Sequence, residues 1–141
     1  MTRPNEPRIP TDYFGLAIPF LETIGLVPEQ FDGGKSRTRL PLLSAVMNSR
    51  GEFQGGALMT ALDFTMSAAA RSSYAEPMAA ATIDMTTTFL SPALSDLSIE
   101  ATCIRSGRML AFCDGEIRDA KGELVARATA TFRMIPRSAK Q

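Results

Sequence analysis

Apolar residues recur at three- and four-residue intervals from Tyr13 to Ile24, through Phe14, Leu16, Ala17, Phe20 and Leu21. That period predicts a helix over residues 11–25, capped by Thr11 or Asp12 and ended by Gly25. Pro19 inside it implies a kink or two short turns. Residues 1–10 hold Pro4, Pro7 and Pro10 and read as a loose lead-in. A short strand is expected over Val27 to Phe31, before the turn Asp32-Gly33-Gly34. Ser36 to Ala45 reads as a further extended segment, with Pro41 marking an edge or a bulge.

The strongest helical pattern runs from Gly56 to about Tyr74, where Asp63 is the only charge before Arg71. Apolar residues fall on nearly every side of this helix, so other structure must enclose it. After Pro77 the texture becomes β, with strands expected over Ala81–Leu90, Leu97–Arg105, Leu110–Asp119 and Leu124–Ile135. In the last of these, Leu124, Ala126, Ala128, Ala130, Phe132 and Met134 face one way; Val125, Arg127, Thr129, Thr131 and Arg133 face the other. Short turns make the last three strands an antiparallel meander. One helix cannot cover both faces of such a sheet, so the sheet must curl around it. The reading is a single α+β domain over residues 1–141.

At 141 residues and 15.2 kDa the chain is long enough for a core without disulfides or a structural metal. Lysine plus arginine and aspartate plus glutamate both number 15, so no basic excess points to nucleic acid. The chain has no histidine, which excludes Ser-His-Asp and Cys-His sites and any zinc site needing imidazole. No metal site is expected. Ala57 to Ala70 is too short and too interrupted by Asp63 to span a bilayer. Nothing at the N-terminus has the pattern of an export signal, and Cys103 and Cys113 read as two reduced core thiols. These features imply a cytoplasmic protein with no membrane partner.

Asp63 stands out chemically. Leu62 and Phe64 flank it, and no lysine or arginine lies within four residues on either side to pair with it. It either shares a narrow wet stripe with Thr60 and Ser67 or stands in a cleft as base or nucleophile. Gln54-Gly55-Gly56 opens the helix, either as an ordinary turn or as a donor of free N–H groups to a developing oxyanion. Asp63 follows Gly55 by eight residues, about 12 Å along a helix at ~1.5 Å per residue. Two groups acting on one carbonyl must both lie within about 3 Å of it. If both are catalytic, Gly55 of one chain meets Asp63 of another, and the site lies at a dimer interface.

The pattern Asn48-x-x-Gly51-x-x-Gln54-Gly55-Gly56 followed by Asp63 resembles the hotdog-fold acyl-CoA thioesterases of the phenylacetate-degradation (PaaI-like) group. Thr82-Ile83-Asp84-Met85, Phe89-Leu90-Ser91-Pro92-Ala93 and Gly107-Arg108 extend the likeness over about residues 45–135. The resemblance implies a curled antiparallel sheet around one long helix, in a homodimer often paired again into a tetramer. It implies hydrolysis of acyl-CoA thioesters, with CoA as part of the substrate and no separate cofactor. It implies Gly55 N–H on the thioester carbonyl, with Gly56 beside it, and Asp63 as base or nucleophile. By the same analogy Asn48 orients the thioester or the attacking water, and Thr82 supports the acyl group. Ser67, one turn after Asp63, either bonds the carboxylate or packs as an ordinary helix serine. Where many members of the group have histidine, this chain has Gln54, which cannot titrate near neutrality. That departure keeps a non-catalytic acyl-CoA or aromatic-ligand binding module open as the alternative. Arg105, Arg108, Arg127, Arg133 and Arg137 are the candidates for CoA phosphates, and the turn Ser106-Gly107-Arg108 is the best placed of them.

Overall fold

The computed structural model describes residues 12–137. Six strands form one antiparallel sheet around a long helix: β1 (Val27–Asp32), β2 (Lys35–Leu40), β3 (Met78–Phe89), β4 (Leu97–Ser106), β5 (Leu110–Arg118) and β6 (Leu124–Pro136). A short helix α1 (Pro19–Ile24) precedes them, and the long helix α2 (Gly55–Ser72) lies between β2 and β3. The strand order is β1-β2-β4-β5-β6-β3, so β1 and β3 are the two edges. The sheet curled around one enclosed helix is the arrangement the hydrophobic pattern predicts, and it is the hotdog fold that the family resemblance implies. Among the described residues, no helix is long and apolar enough to cross a membrane.

The sheet closes on α2 because its inner face is built from small and aliphatic residues. Leu97, Ile99 and Ala101 of β4, Ala111 and Ile117 of β5, and Ala126, Ala128, Ala130 and Phe132 of β6 are all buried. At Gly115 the approach is closest: a β-carbon there would stand 3.0 Å from Met66 and 3.1 Å from Leu62. Even a methyl group at this position would need the Met66 and Leu62 side chains to give way. Where the helix meets β2 the contact is polar but satisfied, with Thr38 Oγ1 2.7 Å from Thr65 Oγ1 and Ser36 donating to the Thr65 carbonyl. On the inner face Cys103 lies opposite Cys113 across β4 and β5, and both thiols are free. Cys113 hydrogen-bonds to Cys103 and holds its pKa down to about 6, while that bond and burial push Cys113 up.

Four sequence expectations need correcting. The helix expected over residues 11–25 is confined to Pro19–Ile24, because Pro19 takes the first helical turn, where its missing N–H costs nothing. Thr11 lies outside the described residues, and Asp12 caps no helix. Gly25 does end the helix, in the left-handed conformation (φ 79°). Strand β2 stops at Leu40, directly before Pro41, so the proline terminates an inner strand and marks no edge. The ensuing segment forms a 3-10 turn at Ser44–Val46. Val125, expected to face outward, is buried, because it is the extra residue where the register shifts between Ile117 and Arg118.

The segment before α1 is irregular yet anchored. Tyr13 is fully buried, and its hydroxyl donates to the Leu26 carbonyl at 3.0 Å. Burial, with Glu22 nearby, pushes its pKa up to about 12. Phe14 stacks on Phe31 and Phe64, with ring centroids 5.0 and 5.9 Å away. These contacts lay residues 14–21 alongside α2, where they form one wall of a cavity.

Candidate active site

Helix α2 starts abruptly at Gly55 because Gln54 is extended (φ −66°, ψ 134°) and no side chain caps it. The Gln54 N–H donates to the Val46 carbonyl at 2.8 Å, and the Gln54 carbonyl takes the N–H groups of Ala57 and Leu58. Among the described residues, the N–H groups of Gly55 and Gly56 have no acceptor. They carry the partial positive charge of the helix end. A β-carbon at Gly55 would lie 3.5 Å from the Phe89 ring, whereas Gly56 has open space around it. The Gln54 side chain is exposed.

Asn48 is engaged within its own loop. Its Oδ1 accepts from the N–H of Arg50 (2.8 Å) and of Glu52 (3.2 Å), and its own N–H donates to the Glu52 carbonyl. The side-chain oxygen thus holds the loop that leads into α2, leaving only the amide nitrogen for other contacts.

Asp63 sits mid-helix and half-buried, and its Oδ1 accepts a 2.7 Å hydrogen bond from Thr82 Oγ1 on β3. Ser67, one turn on, gives its hydroxyl proton to the Phe64 carbonyl at 2.7 Å and not to the carboxylate. Thr60, Asp63, Ser67 and Arg71 form a stripe along α2 that lines a cavity of about 330 Å³. The wet stripe and the cleft, alternatives in the sequence, are one feature. Leu16, Ile18, Phe20 and Leu21 supply the apolar wall, and Ala79, Ala80 and Thr82 the floor on β3.

A register shift between Thr82 and Asp84 makes Ile83 an extra residue in β3. Strict alternation would put Thr82 and Phe89, seven residues apart, on opposite faces. The bulge returns both to the inner face, Thr82 opposite Phe132 and Phe89 opposite Ala126. Thr82 on β3 therefore bonds Asp63, and Phe89 at the end of the strand lies beside Gly55. Strand β3 is also a twelve-residue edge, with Ile83 54% and Phe89 50% exposed. Long exposed edges of this kind are templates for pairing with another strand.

The predicted residues do not all converge. Asp63, Ser67 and Thr82 share the cavity; Gly55, Gly56 and Gln54 lie at the helix start, about 12 Å from Asp63 along the same helix. Gly107 and Arg108 lie beyond the other end of α2, where the Tyr74 hydroxyl donates to the Gly107 carbonyl at 2.6 Å, and Arg108 is exposed. Arg137 does line the cavity, as does Arg71. The sequence reading missed Arg71, Phe89 and the wall from Leu16 to Leu21. Arg71 follows Thr60, Asp63 and Ser67 at three- and four-residue steps, a signal that was available.

Residues 53–126 match the sequence profile described as Thioesterase superfamily. The chain belongs to that superfamily. The match opens directly before Gln54-Gly55-Gly56 and takes in α2 and β3, so the two halves of the candidate site lie inside it. A curated relative, "Putative esterase VNG_1336C" of Halobacterium salinarum, is 30% identical over 126 residues, 82% of this chain and 83% of its own. A Thioesterase family protein from Silicibacter pomeroyi superposes with a TM-score of 0.80 at 25% identity, over 85% of this chain and 91% of the other. The Escherichia coli PaaI protein from the phenylacetic acid degradation operon gives 0.76 at 21%, covering 82% and 83%. Streptococcus mutans smu.793, solved bound to acetyl CoA, gives 0.73 at 21%, covering 79% and 90%. These last two likenesses establish the fold.

Proposed function

We propose that the protein hydrolyses acyl-CoA thioesters to a free acid and CoA, in a homodimer of the PaaI-like type whose sites are shared. The observation that carries this reading is a carboxylate, Asp63, held by Thr82 at an apolar cavity, on the same helix as two N–H donors it cannot reach. Acetyl CoA bound to a protein of the same fold supports the substrate class.

Pairing of β3 with its copy supplies the missing proximity. Thr82 and Phe89 are six ladder steps apart, about 20 Å at ~3.4 Å per step. An antiparallel twofold at Thr86, three ladder steps from each, sets Thr82 of one chain opposite Phe89 of its mate. Asp63, hydrogen-bonded to Thr82, then approaches the mate's Gly55, which lies beside Phe89. This gives each dimer two equivalent sites. Exposed Leu110 and Phe112 on the outward sheet face are the seat for a second pairing into a tetramer.

In this arrangement the Gly55 N–H polarises the thioester carbonyl and stabilises the charge that grows on its oxygen. Asp63 takes a proton from water as water attacks the carbonyl carbon, or attacks that carbon itself to give a mixed anhydride that water opens. In both routes the C–S bond breaks and CoA leaves as the thiol. Arg108 in the exposed β4–β5 turn remains the proposed contact for CoA phosphates. Free thiols at Cys103 and Cys113 suit the cytoplasmic setting of this reading.

Gln54 favours a second reading, an acyl-CoA or aromatic-ligand binding module without turnover. The two part in one assay: free thiol measured from short, long and aryl acyl-CoAs. Release with saturation kinetics is expected; saturable binding with no thiol would leave the binding module. Thr82→Val should lower kcat/KM roughly tenfold by removing a hydrogen bond to a charged group. Thr82→Ser should restore it; equal losses in both variants would mean the hydroxyl is not the active feature.

A further inference from the structure

The end of the cavity remote from Thr82 is cationic. Arg71 is only 9% exposed, and its Nε donates to the Met78 carbonyl at 3.2 Å while Nη2 donates to the Phe14 carbonyl at 2.8 Å. The third nitrogen, Nη1, is buried without an acceptor. Among the described residues, ion pairs join Arg37, Arg39, Arg50 and Arg118 to carboxylates, and none involves Arg71. Burial lowers the Arg71 pKa, and the neighbouring Arg137 guanidinium adds to that; the Phe31 ring centroid lies 5.3 Å from the Arg71 guanidinium carbon. Burying a guanidinium without an anion is costly. A clamp on two carbonyls needs only two of the three nitrogens, so the clamp alone does not account for Nη1.

Arg71 follows Asp63 by eight residues on one face of α2, about 12 Å at ~1.5 Å per residue. Between them the cavity walls are apolar on the side of Leu16 and Ile18, with Ser67 on the helix. A ligand filling this space has a reacting carbonyl at one end, a short aliphatic or aryl stem, and a group that accepts hydrogen bonds from a guanidinium at the other. A planar carboxylate matches that fork. We propose that the cavity selects acyl groups ending in a carboxylate, the CoA half-thioesters of short dicarboxylic acids, with Arg71 as the specificity-determining residue. The proposal rests on the thioesterase reading, in which Asp63 marks the reacting end.

The test compares kcat/KM for thiol release within length-matched pairs: succinyl- with butyryl-CoA, glutaryl- with pentanoyl-CoA, adipoyl- with hexanoyl-CoA. The wild-type protein is expected to favour the acid-ended member of at least one pair by about tenfold or more, because unpaired polar groups reject an apolar analogue. In Arg71→Gln, which keeps N–H donors but no charge, that preference should fall by about tenfold, mainly through KM for the acid-ended substrate. Preference for the apolar member in every pair, or an unchanged ratio in Arg71→Gln, would overturn the assignment. If that variant does not fold, the wild-type ranking decides alone. Release from long or aryl acyl-CoAs but from none of the six compounds would overturn this inference alone. Release from no acyl-CoA would overturn the thioesterase reading, and this inference with it.

Discussion

Asp63→Asn is expected to lower kcat for thiol release by a factor on the order of 10³, the scale of losing a general base or a carboxylate nucleophile. The substitution is nearly isosteric. Asparagine Oδ1 can still accept from Thr82 Oγ1, now 2.7 Å from the carboxylate, so the side chain keeps its anchor. Only the charge and the basicity go. Oligomer mass and CoA binding should therefore match the wild-type protein. Turnover within about tenfold of wild type would remove Asp63 from the mechanism, whatever the dimer geometry.

The second large effect is expected at Gly55. Proline there deletes one N–H and little else, because three local conditions favour it. Gly55 is the first residue of α2, a position where proline is well tolerated. Gln54 already has the extended backbone that a following proline demands. A β-carbon would meet Phe89 at 3.5 Å, ordinary van der Waals contact. With the fold retained, kcat should fall by about 10²- to 10³-fold, the scale measured for loss of one oxyanion donor. Circular dichroism like that of wild type must accompany the loss. Gly55→Ala keeps the N–H and should retain most activity, which separates the missing proton from the added bulk. Full turnover in Gly55→Pro would clear this N–H of any part in the chemistry.

Much of this architecture was legible in the sequence because its hydrophobic patterns are long and undiluted. The fourteen residues from Ala57 to Ala70 hold one charge, and the alternation runs from Leu97 to Cys103 in β4, through β5, and from Ala126 to Met134 in β6. Those patterns report burial on one side or all round, which is what a helix inside a curled sheet requires. The errors fall where a single residue breaks a period. Pro19 converts a plausible four-turn helix into a short one, and Pro41 stops a strand that β-propensity alone would have carried on. The extra residues Ile83 and Val125 shift the ladder, and a bulge has no fixed spelling in a single sequence.

The site was legible in its chemistry more than in its surroundings. A carboxylate without a local partner marked Asp63, but its hydrogen bond from Thr82 had no sequence signal, since the resemblance gave Thr82 to the acyl group. Ser67 instead satisfies a carbonyl in its own turn, a choice that only backbone geometry settles. Arg71 was hidden because a basic residue in the last turn of a helix already has an ordinary explanation in the helix dipole. Its burial depends on Phe14, 57 residues away in sequence, as well as on Met78 across the turn that follows the helix.

The most direct measurement mixes the two inactive proteins. Asp63→Asn and Gly55→Pro subunits, co-refolded or co-expressed in equal amounts, form mixed dimers in which one site carries both defects and the other carries neither. Random pairing should restore about a quarter of the wild-type rate, from one intact site in half of the dimers. A mixture that forms mixed dimers yet stays as inactive as its components would contradict a site shared between subunits.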